Sequence, residues 1–216
     1  MIQPFPGRIT AVVAQEKIRR HMGPRVNVFV DEKFSFALDA FLAHKFGLKP
    51  GKVLSATQLE EILREDGDAR ALARALHYLS YRPRSEDEVR KRLQRDEWPD
   101  SVIHRVLEKL KGQQLLGDAT FATLWVESRS HFRPRGARAL QWELRQKGVD
   151  KETIQAALPD ADEEIANAVE ALRRKDREWN RYDDAREREQ KMIQFLQRRG
   201  FNYGTARQAL RRREEE

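Results

Sequence analysis

The sequence predicts a mainly α fold: three tandem three-helix repeats in an extended curved array, preceded by a small N-terminal β-containing module. Three observations carry this. Apolar residues recur in register three times, with Leu93, Leu144 and Leu196 as anchors. Five residues on stand Trp98, Val149 and Phe201, ten on Ile103, Ile154 and Ala206, and fourteen on Leu107, Leu158 and Leu210. The copies are 51 and 52 residues apart, and Arg82-Pro83-Arg84 returns 51 residues later as Arg133-Pro134-Arg135. A repeat of this length is the signature of stacked supersecondary units. Finally, 36% of the 216 residues are charged and the mean hydropathy is −0.81, which suits an array with much surface per residue.

Residues 8–66 differ from the rest. Arg8–Val13 and Arg25–Val30 are rich in β-branched residues, and Asp31-Glu32-Lys33 turns the chain into Phe34–Leu38. Short helices follow over Ala40–Phe46 and Ser55–Arg64.

In the first repeat, Asp68 is expected to cap a helix over 69–81 with Leu72, Leu76 and Leu79 along one stripe. Pro83 ends it by disfavouring helix at Arg82. Ser85-Glu86-Asp87-Glu88 reads as a capping box opening a short second helix with Val89 and Leu93 inward. Pro99 opens the third, whose buried face is Val102, Ile103, Val106, Leu107 and Leu110, and Gly112 ends it.

The second repeat follows the same plan. Asp118 is expected to cap a helix burying Phe121, Ala122 and Trp125; Gly136–Lys147 follows, then a break at Gly148 and an Asp150-capped helix ended by Pro159. In the third, Ile165, Val169 and Leu172 begin a longer charged helix, followed by Phe195, Leu196, the Gly200 break and an Asn202 cap. Arg211–Glu216 is expected to fray, and Leu196, in the end repeat, to be the least costly of the three anchors to truncate. The domains are thus placed at 1–66, 67–115, 116–160 and 161–216.

Chemistry is sparse. With no cysteine, disulfides and thiolate zinc sites are excluded, and a reducing cytoplasm is compatible. The histidines (His21, His44, His77, His104 and His131) lack metal-binding spacing, so no metal or cofactor is expected. Gly47–Val53 is one residue too short for a phosphate loop and lacks its Ser or Thr, so it reads as a turn. Asp183-Asp184 reads as part of helix-surface ion pairing. Met1–Gly7 is not a secretory signal and no run is long enough to span a membrane. No residue set suggests an enzyme.

The charge is more informative. Residues 1–68 carry 10 basic and 9 acidic residues; the remainder carries 32 and 26, so six of the seven excess positive charges lie there. Arg82, Arg84, Arg90, Lys91, Arg92 and Arg95 cluster around one short helix, and Arg129, Arg133, Arg135, Arg138, Arg145 and Lys147 do so one repeat later. Guanidinium holds carboxylate or phosphate through two hydrogen bonds, so Arg82, Arg84, Arg90, Lys91, Arg133, Arg135 and Arg138 are the candidate partner- or DNA-binding residues. Two plainer readings compete: a solvated helix face beside Glu86, Asp87 and Glu88, or arginines bonding helix-end carbonyls near Ser80. Trp98 and Trp142 could stack on bases in a direct DNA-binding protein, but at these positions they are read as core or inter-repeat packing.

Ala75-Leu76-His77-Tyr78-Leu79-Ser80-Tyr81-Arg82-Pro83-Arg84-Ser85-Glu86-Asp87-Glu88-Val89 resembles the first-repeat motif of the bacterial RecX family. Leu115–Ala122 with Trp125-Val126 resembles its second-repeat entry, Leu144–Gly148 the end of that motif, and Val26–Asp31 the N-terminal module of longer members. The resemblance implies a regulator that binds the RecA filament on DNA and restrains its assembly, ATP hydrolysis and strand exchange; the chain is expected to be a monomer. It also implies a weak, sequence-independent DNA affinity. The alternative is a direct DNA-binding protein using each unit as a helix-turn-helix, but Pro99-Asp100-Ser101 is a poor start for a base-reading helix.

Overall fold

Alternating burial builds the N-terminal module. In this computed structural model, which describes residues 4–16 and 23–215, strands β1 (Gly7–Ala14), β2 (Arg25–Val30), β3 (Lys33–Asp39) and β4 (Val53–Leu54) form one antiparallel sheet of order β3-β2-β1-β4. The expectations that fall on His21, Met1–Gln3 and Glu216 lie outside the described residues. Asp31 and Glu32 turn β2 into β3 with φ of 46° and 65°, the doubly positive geometry that matches the twist of a hairpin. Asp39 ends β3 and caps α1 (Ala40–Lys45), accepting the Phe41 N–H at 2.8 Å. The Gly47–Val53 segment is a turn stitched to β1 through Gly51 N–H to Ile9 O and Ile9 N–H to Lys52 O. It runs into β4, whose two residues are too few to show alternation in sequence. Ile9, Val28, Val30, Phe36, Leu38, Leu54 and Ile62 are among the buried residues of this core.

One helix replaces two that the sequence predicts. Ser55 opens α2 (Ala56–Leu79) with a capping box to Gln58, and the helix runs unbroken through Gly67 and Asp68. Asp68 is therefore not a cap. Its carboxylate takes two hydrogen bonds from Arg105, at 2.8 and 2.7 Å. Asp66, only 4% exposed, accepts two from Arg25 at 3.1 Å each and one from the Asp39 N–H at 2.9 Å. An interior glycine costs a helix about 1 kcal/mol relative to alanine, and these lateral bonds on either side of Gly67 offset it.

The remaining helices repeat a plan: α3 (Glu86–Arg95) and α4 (Asp100–Gly112); α5 (Asp118–Phe132), α6 (Ala137–Gln146) and α7 (Lys151–Ala157); α8 (Ala161–Arg173), α10 (Ala185–Arg198) and α11 (Tyr203–Glu215). The longer charged helix expected in the third repeat is instead α8 followed by the single turn α9 (Asp176–Trp179), whose Trp179 is buried and bonds the Leu172 carbonyl through Nε1. Asp184 caps α10 by accepting from the Arg186 N–H, in place of the ion pairing expected for it. Nor does α11 fray at Arg211: it stays helical to Glu215, and Arg213 bonds Asp176 at 2.8 Å.

The repeat is exact in its backbone chemistry at one place. Leu93, Leu144 and Leu196 are each 0% exposed. Four residues on, Glu97, Gly148 and Gly200 take φ of 61°, 77° and 91°. The next N–H then returns to the leucine carbonyl: Trp98 to Leu93 (3.2 Å), Val149 to Leu144 (3.2 Å) and Phe201 to Leu196 (3.1 Å). This is the Schellman termination, which satisfies carbonyls that a helix end leaves open.

The chain divides into two units, residues 1–82 with 89–112, and residues 83–88 with 113–216. Inside the second, successive repeats are latched at equivalent positions. The buried Ser85 hydroxyl donates to the Lys147 carbonyl at 2.6 Å, and the Gly136 N–H donates to the Arg199 carbonyl at 3.0 Å. Carboxylates reach across as well. Asp118 does not cap its own helix; the N-cap is Gly117, without a side-chain bond, and the Asp118 carboxylate accepts the Glu86 N–H at the start of α3 (2.8 Å). Glu164, 8% exposed, likewise accepts the Ala137 N–H at the start of α6 (2.8 Å). Gly148 and Gly200 abut Asp87 and Ala139 so closely that an added Cβ would lie 2.4 Å from each, whereas the matching Glu97 is exposed. The left-handed position is thus confined to glycine where another repeat covers it.

Leu93→Ala, Leu144→Ala and Leu196→Ala should each lose about 2–5 kcal/mol in chemical denaturation. Leu196 should not be the mildest, because it sits in an extensive core with Trp179, Phe195 and Phe201. Gly136→Ala places a Cβ 2.2 Å from the Phe201 backbone nitrogen, with no flexible atom to yield, and should lose at least the ~1–3 kcal/mol of overpacking. Gly67→Ala, with nothing within 4 Å, should instead gain roughly 0.5–1 kcal/mol; a loss there would deny the continuous α2. Burial pushes the Asp118 carboxyl above its ordinary 3.8, with the nearby acids Glu86, Asp150 and Asp87 adding to this and the Glu86 N–H opposing it. A carboxyl whose folded pKa is raised contributes stability that is present below 3.8 and lost as pH rises through the higher folded value. Asp118→Asn keeps the acceptor without the charge, so its stability relative to wild type should improve across that window, while Asp118→Ala, which orphans an N–H, should lose about 1–2 kcal/mol at neutral pH.

Candidate functional site

The two Arg-Pro-Arg corners join a first helix to a second. At the first, Ser80 caps α2 and its hydroxyl bonds the His77 carbonyl. The Ser85–Glu88 capping box is formed, with Glu88 N–H to Ser85 Oγ at 3.2 Å and Ser85 N–H to the Glu88 carboxylate at 3.4 Å. The Arg84 side chain is 14% exposed, 3.9 Å from the Glu88 carboxylate, which also takes Lys147 Nζ at 2.8 Å. Arg84 is therefore bound up in the latch between repeats and offers a partner little surface. Arg82 and Arg90 are half-buried; Lys91 is exposed.

The second corner concentrates positive charge. Arg133 and Arg138 are exposed, and neither side chain makes a hydrogen bond or ion pair among the described residues. Arg135 Nε lies 3.7 Å from the Glu143 carboxylate, which is already occupied by Trp125 Nε1 (2.9 Å) and Arg129 Nε (2.7 Å). Two arginines that the sequence reading did not single out complete the group. Arg174, the C-cap of α8, donates to the carbonyls of Phe132 (2.8 Å) and His131 (2.7 Å) and to Glu170 (2.7 Å). Arg199 donates to the Pro134 carbonyl at 3.2 Å and lies over the Phe195 ring at 4.7 Å. Arginine–carbonyl bonding at a corner is thus present, but the third repeat supplies it to the second. Arg199 had a signal in the repeat frame, since it precedes Gly200 as Lys147 precedes Gly148. Arg174 had none for this corner, because the carbonyls it bonds there lie 42 and 43 residues away in the chain.

These guanidiniums repel one another. Burial, and then the like charges of Arg135, Arg133 and Arg174, pull Arg199 below the ordinary arginine value. An arginine cannot relieve this by losing its proton near neutral pH, so the corner stays cationic and an oxyanion is what would neutralise it. No group of three or more His, Asp or Glu among the described residues is placed to hold a metal. No helix among them is long and apolar enough to cross a membrane. Of the tryptophans read as packing, Trp98 is half-buried beneath Arg70, whose guanidinium is 5.3 Å from its ring. Trp142 is not core at all: it is 64% exposed.

Family models match along the chain: the regulatory protein RecX N-terminal domain over residues 7–55, and the first, second and third RecX three-helix domains over 71–110, 118–158 and 162–210. Regulatory protein RecX of Bacillus velezensis is 35% identical over 213 residues, covering 96% of this chain and 78% of that protein. Its counterpart in Bacillus subtilis is 35% identical over 200 residues, covering 90% and 73%. A crystal structure of regulatory protein RecX superposes with a TM-score of 0.70 at 28% identity, covering 98% of this chain and all of the other. That of RecX from Lactobacillus salivarius, at 22% identity and a TM-score of 0.63 over 70% of this chain and 99% of the other, shares the fold. Four domain matches in order, and close to one-third identity along most of its length, place this chain in the RecX family of regulatory proteins.

Proposed function

We propose that the protein binds the RecA recombinase filament on DNA and restrains its assembly, ATP hydrolysis and strand exchange. It acts as a cytoplasmic monomer without catalysis of its own, and DNA adds a weak, sequence-independent attraction. Membership of a family of regulatory proteins supports the regulatory role. The observation that carries the interaction is the cationic corner at Arg133–Arg138, where Arg174 and Arg199 crowd further guanidiniums onto a turn that recurs in the array. A cationic turn left facing water suits a partner that presents carboxylates or phosphates along a groove.

A pull-down with RecA, with and without single-stranded DNA and nucleotide, tests the partner; capture that needs the assembled filament is the expected result. The corner makes a sharper prediction. Arg133→Ala, Arg138→Ala together change only exposed side chains, so stability should stay within about 0.5 kcal/mol while suppression of RecA ATP hydrolysis falls. Arg84→Ala should do the reverse, lowering stability by roughly 1–3 kcal/mol because it removes a largely buried side chain packed beside the Glu88 carboxylate, with suppression falling only in step. Full suppression by a well-folded Arg133→Ala, Arg138→Ala protein would reject this corner as the contact.

A further inference from the structure

The outward face of α6 is built unlike those of its sister helices. Its only acid, Glu143, points inward to Trp125 and Arg129. What faces water is Arg138, Trp142 and Arg145, spaced four and three residues apart and so on one stripe about 10 Å long. The repeat frame shows that the fold does not ask for this. The positions matching Trp142 are Lys91 and Gln194, both exposed, and those matching Arg145 are Gln94 and Gln197. A polar residue is the array's ordinary choice here, and tryptophan at 64% exposure does no packing that Lys91 and Gln194 fail to do.

We propose that this stripe is a contact for single-stranded nucleic acid, in which Trp142 stacks on a base while Arg138 and Arg145 neutralise the flanking phosphates. It deepens, and rests on, the reading of this corner as one that faces a polyanion. A flat indole between guanidiniums matches the alternation of base and phosphate along a strand, and stacking tolerates any base. Tryptophan and arginine are also common at protein contacts, but a stripe that serves only a protein partner would leave oligothymidylate without effect on Trp142 emission. In a duplex the faces of the bases are already stacked, so the indole favours single strands.

Tryptophan fluorescence reads this directly, with RecA absent. Trp179 is buried and Trp98 and Trp125 are half-buried, which leaves Trp142 as the exposed reporter. Oligothymidylate should quench the wild-type protein, and inorganic polyphosphate should displace it without quenching. Trp142→Phe should abolish the quench yet keep most of the affinity measured by anisotropy of labelled oligonucleotide. Trp142→Ala should bind roughly 5- to 100-fold more weakly with an unchanged circular dichroism spectrum. Arg138→Ala and Arg145→Ala should each lower the slope of log K against log salt by about 0.7. The stacking site is overturned if Trp142→Ala binds as tightly as wild type, if polyphosphate quenches as well as oligothymidylate, or if a duplex of equal length binds as tightly. In those cases salt-dependent DNA attraction survives. No binding of oligothymidylate at all overturns both the stacking site and the DNA part of the regulatory reading.

Discussion

The structure depends on how each second helix ends. A left-handed residue four positions after the leucine anchor folds the chain back, and the next amide bonds the leucine carbonyl. The carbonyl just before that turn is left pointing outward, and in the second unit it becomes the acceptor for the repeat before it: Lys147 for Ser85, Arg199 for Gly136. One local motif thus ends a helix and supplies the joint to its neighbour. Asp118 and Glu164 close the same joints by capping a helix start in the preceding repeat. Because each repeat supplies bonds that its neighbour's helix ends lack, the joints resemble those of a solenoid, where nearest-neighbour interfaces add to the stability of single units.

Those joints also decide where the charge goes. Seating the end of α10 on the α5–α6 corner brings Arg199 to the Pro134 carbonyl, and the end of α8 brings Arg174 to His131 and Phe132. The bonds to helix-end carbonyls are favourable, since a cation complements the negative end of a helix dipole. The repulsion among the guanidiniums is not relieved, and it is concentrated beside the exposed Arg133 and Arg138. The first corner resolves the same problem differently. There Glu88 takes both Arg84 and Lys147, so the repeated tripeptide is spent on structure in one copy and left facing water in the other.

The N-terminal module is tied on by a similar use of acids away from helix ends. Asp66 and Asp68 lie in the middle of α2 and hold Arg25 of the sheet and Arg105 of α4. In sequence the same Asp-Gly-Asp run reads as a stop and a start, because a short carboxylate beside a glycine commonly caps a helix. Distant arginines turned that local preference into two lateral ion pairs, and the helix continued.

The sequence by itself determined what depends on periodicity and near neighbours. The three-repeat plan, the buried leucines, the capping boxes at Ser85, the breaks at Gly148 and Gly200 and the β2–β3 hairpin were all legible, as was the family resemblance. Each rests on residues within a turn or two of one another, or on a pattern repeated often enough to stand out from chance. Only the tertiary structure decided the partners of long polar side chains: Asp118 on α3 rather than its own helix, Asp68 on Arg105, Lys147 on Glu88, and Arg174 and Arg199 on the second corner. It also decided that Trp142 faces water. The physical reason is reach. An apolar side chain is placed by the face of its element, which the sequence spells out, but a flexible charged chain bonds whichever group the fold brings within a few ångströms, and that group is set by residues tens of positions away.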